Sequence, residues 1–158
     1  MNVWYLHGLE SDVGGPKVDF LNSVADRVFA PKMVYSNPNM FKTLLEAARI
    51  DKPDLIIGSS MGGYFADAIG SHLDIQVLLF NPALHSRSME PEGVTYGETN
   101  WVRHMVVGTE DKVIDPKLTK VLKGLFDTWI EIKGMGHRTP LKVFKDIYKK
   151  VIGKETLL

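Results

Sequence analysis

The chain has 158 residues, 44% of them hydrophobic and 24% charged, with nineteen basic side chains balancing nineteen acidic ones. That length suits one domain with a full core, and the composition excludes a disordered or fibrous chain. With no Lys/Arg block longer than Lys149-Lys150 and no cysteine at all, the chain lacks a footprint for nucleic acid or an anionic membrane, and disulfides, thiolate metal sites and a cysteine nucleophile are excluded.

Short β-rich runs alternate with helical patterns along the chain. Val3-Leu6 reads as a first strand, followed by a helix over Lys17-Val28, a second strand at Met33-Tyr35 and a helix over Met40-Ile50. A third strand, Leu55-Ile57, leads into a helix over Met61-Ser71, and a fourth strand covers Ile75-Phe80. Asn81 to Asn100 has no helical pattern and is rich in Pro, Gly, Ser and Glu, a length that reads as a short lid-like loop rather than a connection. Val102-Val107 and Thr128-Ile132 complete six strands, with helices predicted over Pro116-Leu125 and Leu141-Val151. Such alternation predicts an α/β domain spanning 1–158, with a mostly parallel sheet and helices on both faces. The lid-like loop at about 81–100 leaves the carboxyl end of a strand, the edge where open parallel sheets bind ligands.

Gly58-Ser59-Ser60-Met61-Gly62 spells G-x-S-x-G between the third strand and its helix. A serine there sits on a tight turn through a strained residue, with its hydroxyl exposed and glycines removing bulk two positions either side. A Gly/Ser-rich turn at a helix N-terminus can equally cradle a phosphate. A nucleophilic serine also needs a base, an orienting acid and oxyanion donors. Of the five histidines, at 7, 72, 85, 104 and 137, only His137 follows the last strand, in the bendable Gly134-Met135-Gly136-His137. Between serine and histidine, the loop after the fifth strand holds Glu110, Asp111 and Asp115. Asp111 is the first choice for the acid, because Asp115 precedes Pro116 as a helix cap would, and Glu110 and Asp115 stay open as alternatives. His7-Gly8-Leu9 after the first strand resembles the oxyanion turn of serine esterases, with the backbone N–H groups of Leu9 and Met61 as the donors. His7 itself could equally be a structural turn residue. His7, Tyr64 and Leu84, with Trp101, are candidates for the substrate pocket, though each of the last three would serve as well in a core.

Taken together, the HG turn, the G-S-S-M-G-G elbow, the G-T-E-D-K-V-I acid loop and G-M-G-H resemble the α/β-hydrolase superfamily, over nearly the whole chain. More narrowly the sequence resembles the small bacterial YqiA-type esterases, in Asn81-Pro82-Ala83 and in Thr95-Tyr96-Gly97-Glu98, where Tyr96 interrupts the family's T-G-E order. The resemblance implies a minimal hydrolase sheet of six strands in the order 2-1-3-4-5-6, with no large cap domain. It also implies a serine hydrolase acting on carboxylic esters or thioesters with short acyl chains, through an acyl-enzyme on Ser60, with Asp111 and His137 completing a triad.

A thioesterase or acyltransferase would use the same residues, and a non-catalytic binding protein could occupy the same fold. The chain shows neither a G-x-G-x-x-G nor a P-loop pattern, so no cofactor and no metal are expected. The expected partner is a small-molecule ester, without nucleic acid or membrane insertion, and the oligomeric state stays open. The N-terminal residues lack a secretory pattern and no run approaches ~18 apolar residues, so a cytoplasmic location is expected.

Overall fold

A computed structural model describes residues 1–153. Its elements are β1 (Asn2–Leu6), α1 (Pro16–Val24), β2 (Arg27–Phe29), α2 (Met40–Asp51), β3 (Leu55–Ser59), α3 (Met61–Leu73), β4 (Gln76–Phe80), β5 (Arg103–Gly108), α4 (Pro116–Thr119), a 3₁₀ turn (Lys120–Leu125), β6 (Thr128–Ile132) and α5 (Leu141–Val151). The six strands form one sheet in the order β2-β1-β3-β4-β5-β6, and every pairing is parallel.

Strand alternation divides the core in two. Trp4 and Leu6 of β1, Ile56 of β3, Val77 and Leu79 of β4, and Met105 and Val107 of β5 face α2 and α3. Val3, Tyr5, Leu55, Ile57, Leu78, Phe80 and Val106 point the other way, against α1 and α5. Right-handed crossovers account for this division. The chain moves outward from β1 to β2 through α1, then reverses past β1 to β3 through α2, so the two helices must lie on opposite faces. The reversal point falls between β1 and β3, where ligands bind in open α/β sheets.

Three elements depart from the sequence reading. The helix expected over Lys17-Val28 ends at Val24, and the second strand is Arg27–Phe29 rather than Met33-Tyr35. Arg27 to Phe29 register against Asn2 to Trp4 at the sheet edge. Met33 and Tyr35 are buried but serve a turn: the Met33 N–H donates to His7 Nε2 at 3.0 Å, and the Tyr35 hydroxyl donates to the His7 carbonyl. Their apolar character therefore reflects burial rather than strand pairing. The helix expected over Pro116-Leu125 tightens into 3₁₀ geometry after Thr119.

The segment between β4 and β5 has no helix and runs across α3, held by a buried carboxylate. Asp67 on α3 is fully buried and accepts from Arg103 Nε at 2.9 Å, Arg103 Nη2 at 2.5 Å, Tyr96 Oη at 2.8 Å and Trp101 Nε1 at 3.0 Å. The Arg103 guanidinium is also flanked by the Trp101 and Phe126 rings at 4.5 and 4.2 Å. Tyr96 and Trp101 thus close the far end of the loop onto the helix that carries the serine turn. Burial and the Asp67 charge both push the Tyr96 hydroxyl far above its ordinary pKa, so it remains a donor. Removing the carboxylate leaves Arg103 buried without its counter-ion, so Asp67→Ala should cost about 3–5 kcal/mol of unfolding free energy in urea denaturation.

Candidate active site

The turn between β3 and α3 is built by close approach. A Cβ on Gly62 would overlap the Leu6 and His7 carbonyls, and one on Gly58 would strike the backbone of Gly62 and Gly63. With no side chain at either position, α3 presses against the end of β1. Ser60 sits between them with φ 54° and ψ −121°, a left-handed conformation rarely adopted by a residue with a Cβ. The backbone is held there from both sides: Ser60 N–H donates to the Phe80 carbonyl at 3.1 Å, and the Ser60 carbonyl accepts from Gly63 and Ala83 at 3.0 and 2.9 Å. Strain of this kind persists only where the surroundings over-determine it.

His137 Nε2 lies 3.0 Å from Ser60 Oγ, and its Nδ1 lies 2.9 Å from Asp111 Oδ2. A carboxylate only accepts, so Nδ1 carries the proton and Nε2 is free to accept from the serine hydroxyl. Asp111 is buried, and its other oxygen accepts from the backbone N–H groups of Val113 and Ile114 at 2.8 and 2.9 Å. The carboxylate is therefore aimed before the histidine meets it. Asp115 accepts from Lys117 N–H at 2.9 Å and caps α4, while Glu110 is exposed and its N–H donates to the Met135 carbonyl. Of the three acids, Asp111 is the one in contact with His137.

The histidine loop is positioned by a residue that sequence reasoning noted only as part of an N-P-A match. Asn81 is buried at φ 43°, just past β4. Its Nδ2 donates to the Gly136 and His137 carbonyls at 3.1 and 2.9 Å, and its Oδ1 accepts from Gly108 N–H at 2.8 Å. One amide thus joins the ends of β4 and β5 to the loop carrying His137. Asparagine tolerates the left-handed region better than most residues, and that tolerance next to a proline was the one available signal.

On the opposite side of Ser60, His7 is buried and shapes the turn after β1. Because its Nε2 accepts from Met33 N–H, Nδ1 is the donor, to the Gly8 carbonyl at 2.8 Å. Gly8 packs beside Ser60: a Cβ there would stand 3.2 Å from that of the serine. Among the described residues, neither Leu9 N–H nor Met61 N–H has a hydrogen-bond partner within the protein. Met61 opens a helix of thirteen residues, whose N-terminus favours negative charge.

A cavity of about 610 Å³ surrounds Ser60 and His137, with walls that include Leu9, Met61, Ala83, Arg87, Ile114 and Thr139. All four of the pocket candidates lie off these walls. His7 is buried and lines a smaller neighbouring cavity with Lys17 and Leu141, Tyr64 lies beneath the Arg87 guanidinium 4.1 Å from its ring, and Leu84 packs against the α3 side of the core. Trp101 belongs to the Asp67 cluster. The remaining histidines have separate partners: His72 with Thr95, His85 with Thr119, and His104 with Thr128 and Gln76. Among the described residues, no group of three or more acidic or histidine side chains could hold a metal ion, and no helix is long and apolar enough to cross a membrane.

A family model described as "Uncharacterised protein family (UPF0227)" matches residues 2–125. The chain belongs to this family. The matched region holds Ser60 and Asp111 and ends before the loop of His137. No curated protein sequence matches the chain. Among solved structures, this UPF0227 member is similar to a protein from Xanthomonas campestris pv. campestris assigned to the α/β hydrolase superfamily, at 17% identity and TM-score 0.71 over 95% of this chain and 98% of that one. A monoacylglycerol lipase from Paleococcus ferrophilus gives 14% identity and TM-score 0.73, over 97% and 93% of the two chains. Est1E from Butyrivibrio proteoclasticus gives 12% and 0.77, over 99% and 88%. At these identities the likeness is one of fold, a small α/β-hydrolase fold without a cap.

Replacing Asn81 by Ala strands the Gly108 N–H and two loop carbonyls, which should lower unfolding free energy by about 1–3 kcal/mol in urea. Asn81→Gly relieves the backbone but not the hydrogen bonds, so a comparable loss in that variant would identify the amide as the cause.

Proposed function

We propose that this UPF0227 protein is a serine hydrolase that cleaves carboxylic esters or thioesters through an acyl-enzyme on Ser60. The observation that carries this reading is the unbroken chain from Ser60 Oγ through both nitrogens of His137 to Asp111, at 3.0 and 2.9 Å.

Ser60 Oγ attacks the carbonyl carbon as His137 Nε2 takes its proton. The carbonyl oxygen gains the negative charge and is met by the backbone N–H groups of Leu9 and Met61, each such donor being worth on the order of 3 kcal/mol in the transition state. Asp111 holds the imidazole in the required tautomer and stabilises its charged form. When the tetrahedral intermediate collapses, the Nε2 proton passes to the leaving alcohol or thiol, leaving the acyl group on Ser60. Water then attacks the acyl carbon, giving its proton to Nε2. The second collapse returns that proton to Ser60 and releases the acid. The α/β-hydrolase fold, shared with a lipase and other hydrolase-superfamily members, supports the same reading. The fold has no cap over the cavity, which favours short acyl chains over a buried acyl tunnel.

A fluorophosphonate should label the protein once, and peptide mapping should find the adduct on Ser60, with none formed in Ser60→Ala. An unlabelled protein would overturn the assignment. Asp111→Asn should lower kcat about 10⁴-fold, the order seen when a triad acid can no longer set the tautomer. Asp115→Asn should retain most turnover, because Asp115 caps α4 and an amide oxygen there still accepts from Lys117 N–H. Equal effects of the two substitutions would remove Asp111 from the triad.

A further inference from the structure

The cavity beside Ser60 carries positive charge that the hydrolytic machinery leaves unused. Lys17, Arg87 and Arg138 line it, with Glu10 as the one acidic residue on its wall. Arg87 is already committed, to the Glu90 carboxylate, the Ala83 and Leu84 carbonyls and the Tyr64 ring. Lys17 and Arg138 are not. Among the described residues neither has a carboxylate partner, and Lys17 has only the Phe144 ring, 5.7 Å from Nζ. Burial and the nearby Arg138 charge, in that order, both lower the pKa of Lys17. Two cations, Lys17 half-buried and Arg138 exposed, thus stand near each other with no carboxylate paired to either among the described residues.

The polar groups around them point to the same kind of ligand. Thr139 is 4% exposed, lines the cavity, and its Oγ1 has no hydrogen-bond partner. Tyr5 also lines the cavity, and burial pushes its pKa up to about 12, so its hydroxyl is a neutral donor that no protein group accepts among the described residues. Helices α1 and α5 begin at Pro16 and Leu141, which line the neighbouring cavity that shares Tyr5 and Lys17 with this one, and neither has a side-chain cap. Their N-termini add partial positive charge. The acids nearby, Glu10, Asp12 and Asp19, are exposed and form no ion pair with Lys17 or Arg138.

We propose that this wall is a subsite for a compact anion, held by Lys17 and Arg138 with the hydroxyl of Tyr5, so that the preferred ester carries a negatively charged group near its scissile bond. The proposal rests on the serine-hydrolase reading for the word ester, while the anion subsite stands on the cavity alone.

Three esters separate the outcomes: neutral ethyl butyrate, monoethyl succinate with a carboxylate on the acyl side, and carboxymethyl butyrate with one on the alcohol side. In the wild-type protein, kcat/KM for one charged ester should exceed that for ethyl butyrate by about tenfold or more, the scale of a charge-assisted contact. The ester that gains identifies the side that faces Lys17. The preference should collapse in Lys17→Met/Arg138→Gln, persist in Lys17→Arg, and weaken in Arg138→Gln alone, a change at an exposed position that tests the site if the double variant folds poorly. Equal use of charged and neutral esters, or a preference that survives the double substitution, would overturn the subsite. If no ester is turned over, the hydrolase reading fails, and calorimetry with succinate decides the subsite by itself. Binding by the wild-type protein that is lost in the double variant upholds it, and no binding overturns it.

Discussion

The site depends on how closely α3 can approach the end of β1. Leu6 and His7 present carbonyls to Gly62, and a single methyl group at that position would hold the helix away. Contact at this point makes the β3–α3 turn tight enough to drive Ser60 into the left-handed region, and it brings the Gly8 turn beside the serine. Ser60, Met61 at the helix N-terminus and Leu9 then line one cavity. Their proximity follows from packing between a helix and a strand, and hydrogen bonds secure it afterwards.

Two buried polar hubs organise the rest of the sheet edge, and they work differently. Asn81 is neutral and ties three chain segments together by donating to one loop and accepting from a strand end. Its bonds span 27 to 56 residues, so His137 is positioned by the middle of the chain rather than by its own neighbours. Asp67 is charged and gathers an arginine, a tyrosine and a tryptophan where an ordinary crossover would supply a helix. Buried charge is weak evidence for net stability, since desolvation offsets much of the attraction. Its role here is specification: the loop's far end has one buried acceptor to reach, and the donors are spaced to reach it together.

Much of this was legible in the residues. The elbow, the acid loop and the histidine loop are each marked by local chemistry, such as glycines where bulk would clash or an Asp-Pro pair that marks a cap. Edges of elements were less legible. Arg27–Phe29 is a three-residue edge strand with a single partner, too short for alternation to register. Met33-Tyr35 looked like a strand because burial and strand pairing select the same apolar residues. Tyr64 and Leu84 illustrate the same limit, since an apolar side chain near the elbow reads alike whether it faces the core or a cavity.

By itself, the sequence determined the α/β alternation, the serine turn and the order of serine, acid and histidine, because each depends on short-range sterics or on which residue type stands where. Only the tertiary structure decided which of three acids meets His137, that Asn81 rather than a neighbour of His137 holds its loop, and that Lys17 and Arg138 face the serine across one cavity. Those outcomes rest on contacts between segments tens of residues apart, and spacing along a chain carries no information about which distant ends the sheet will bring side by side.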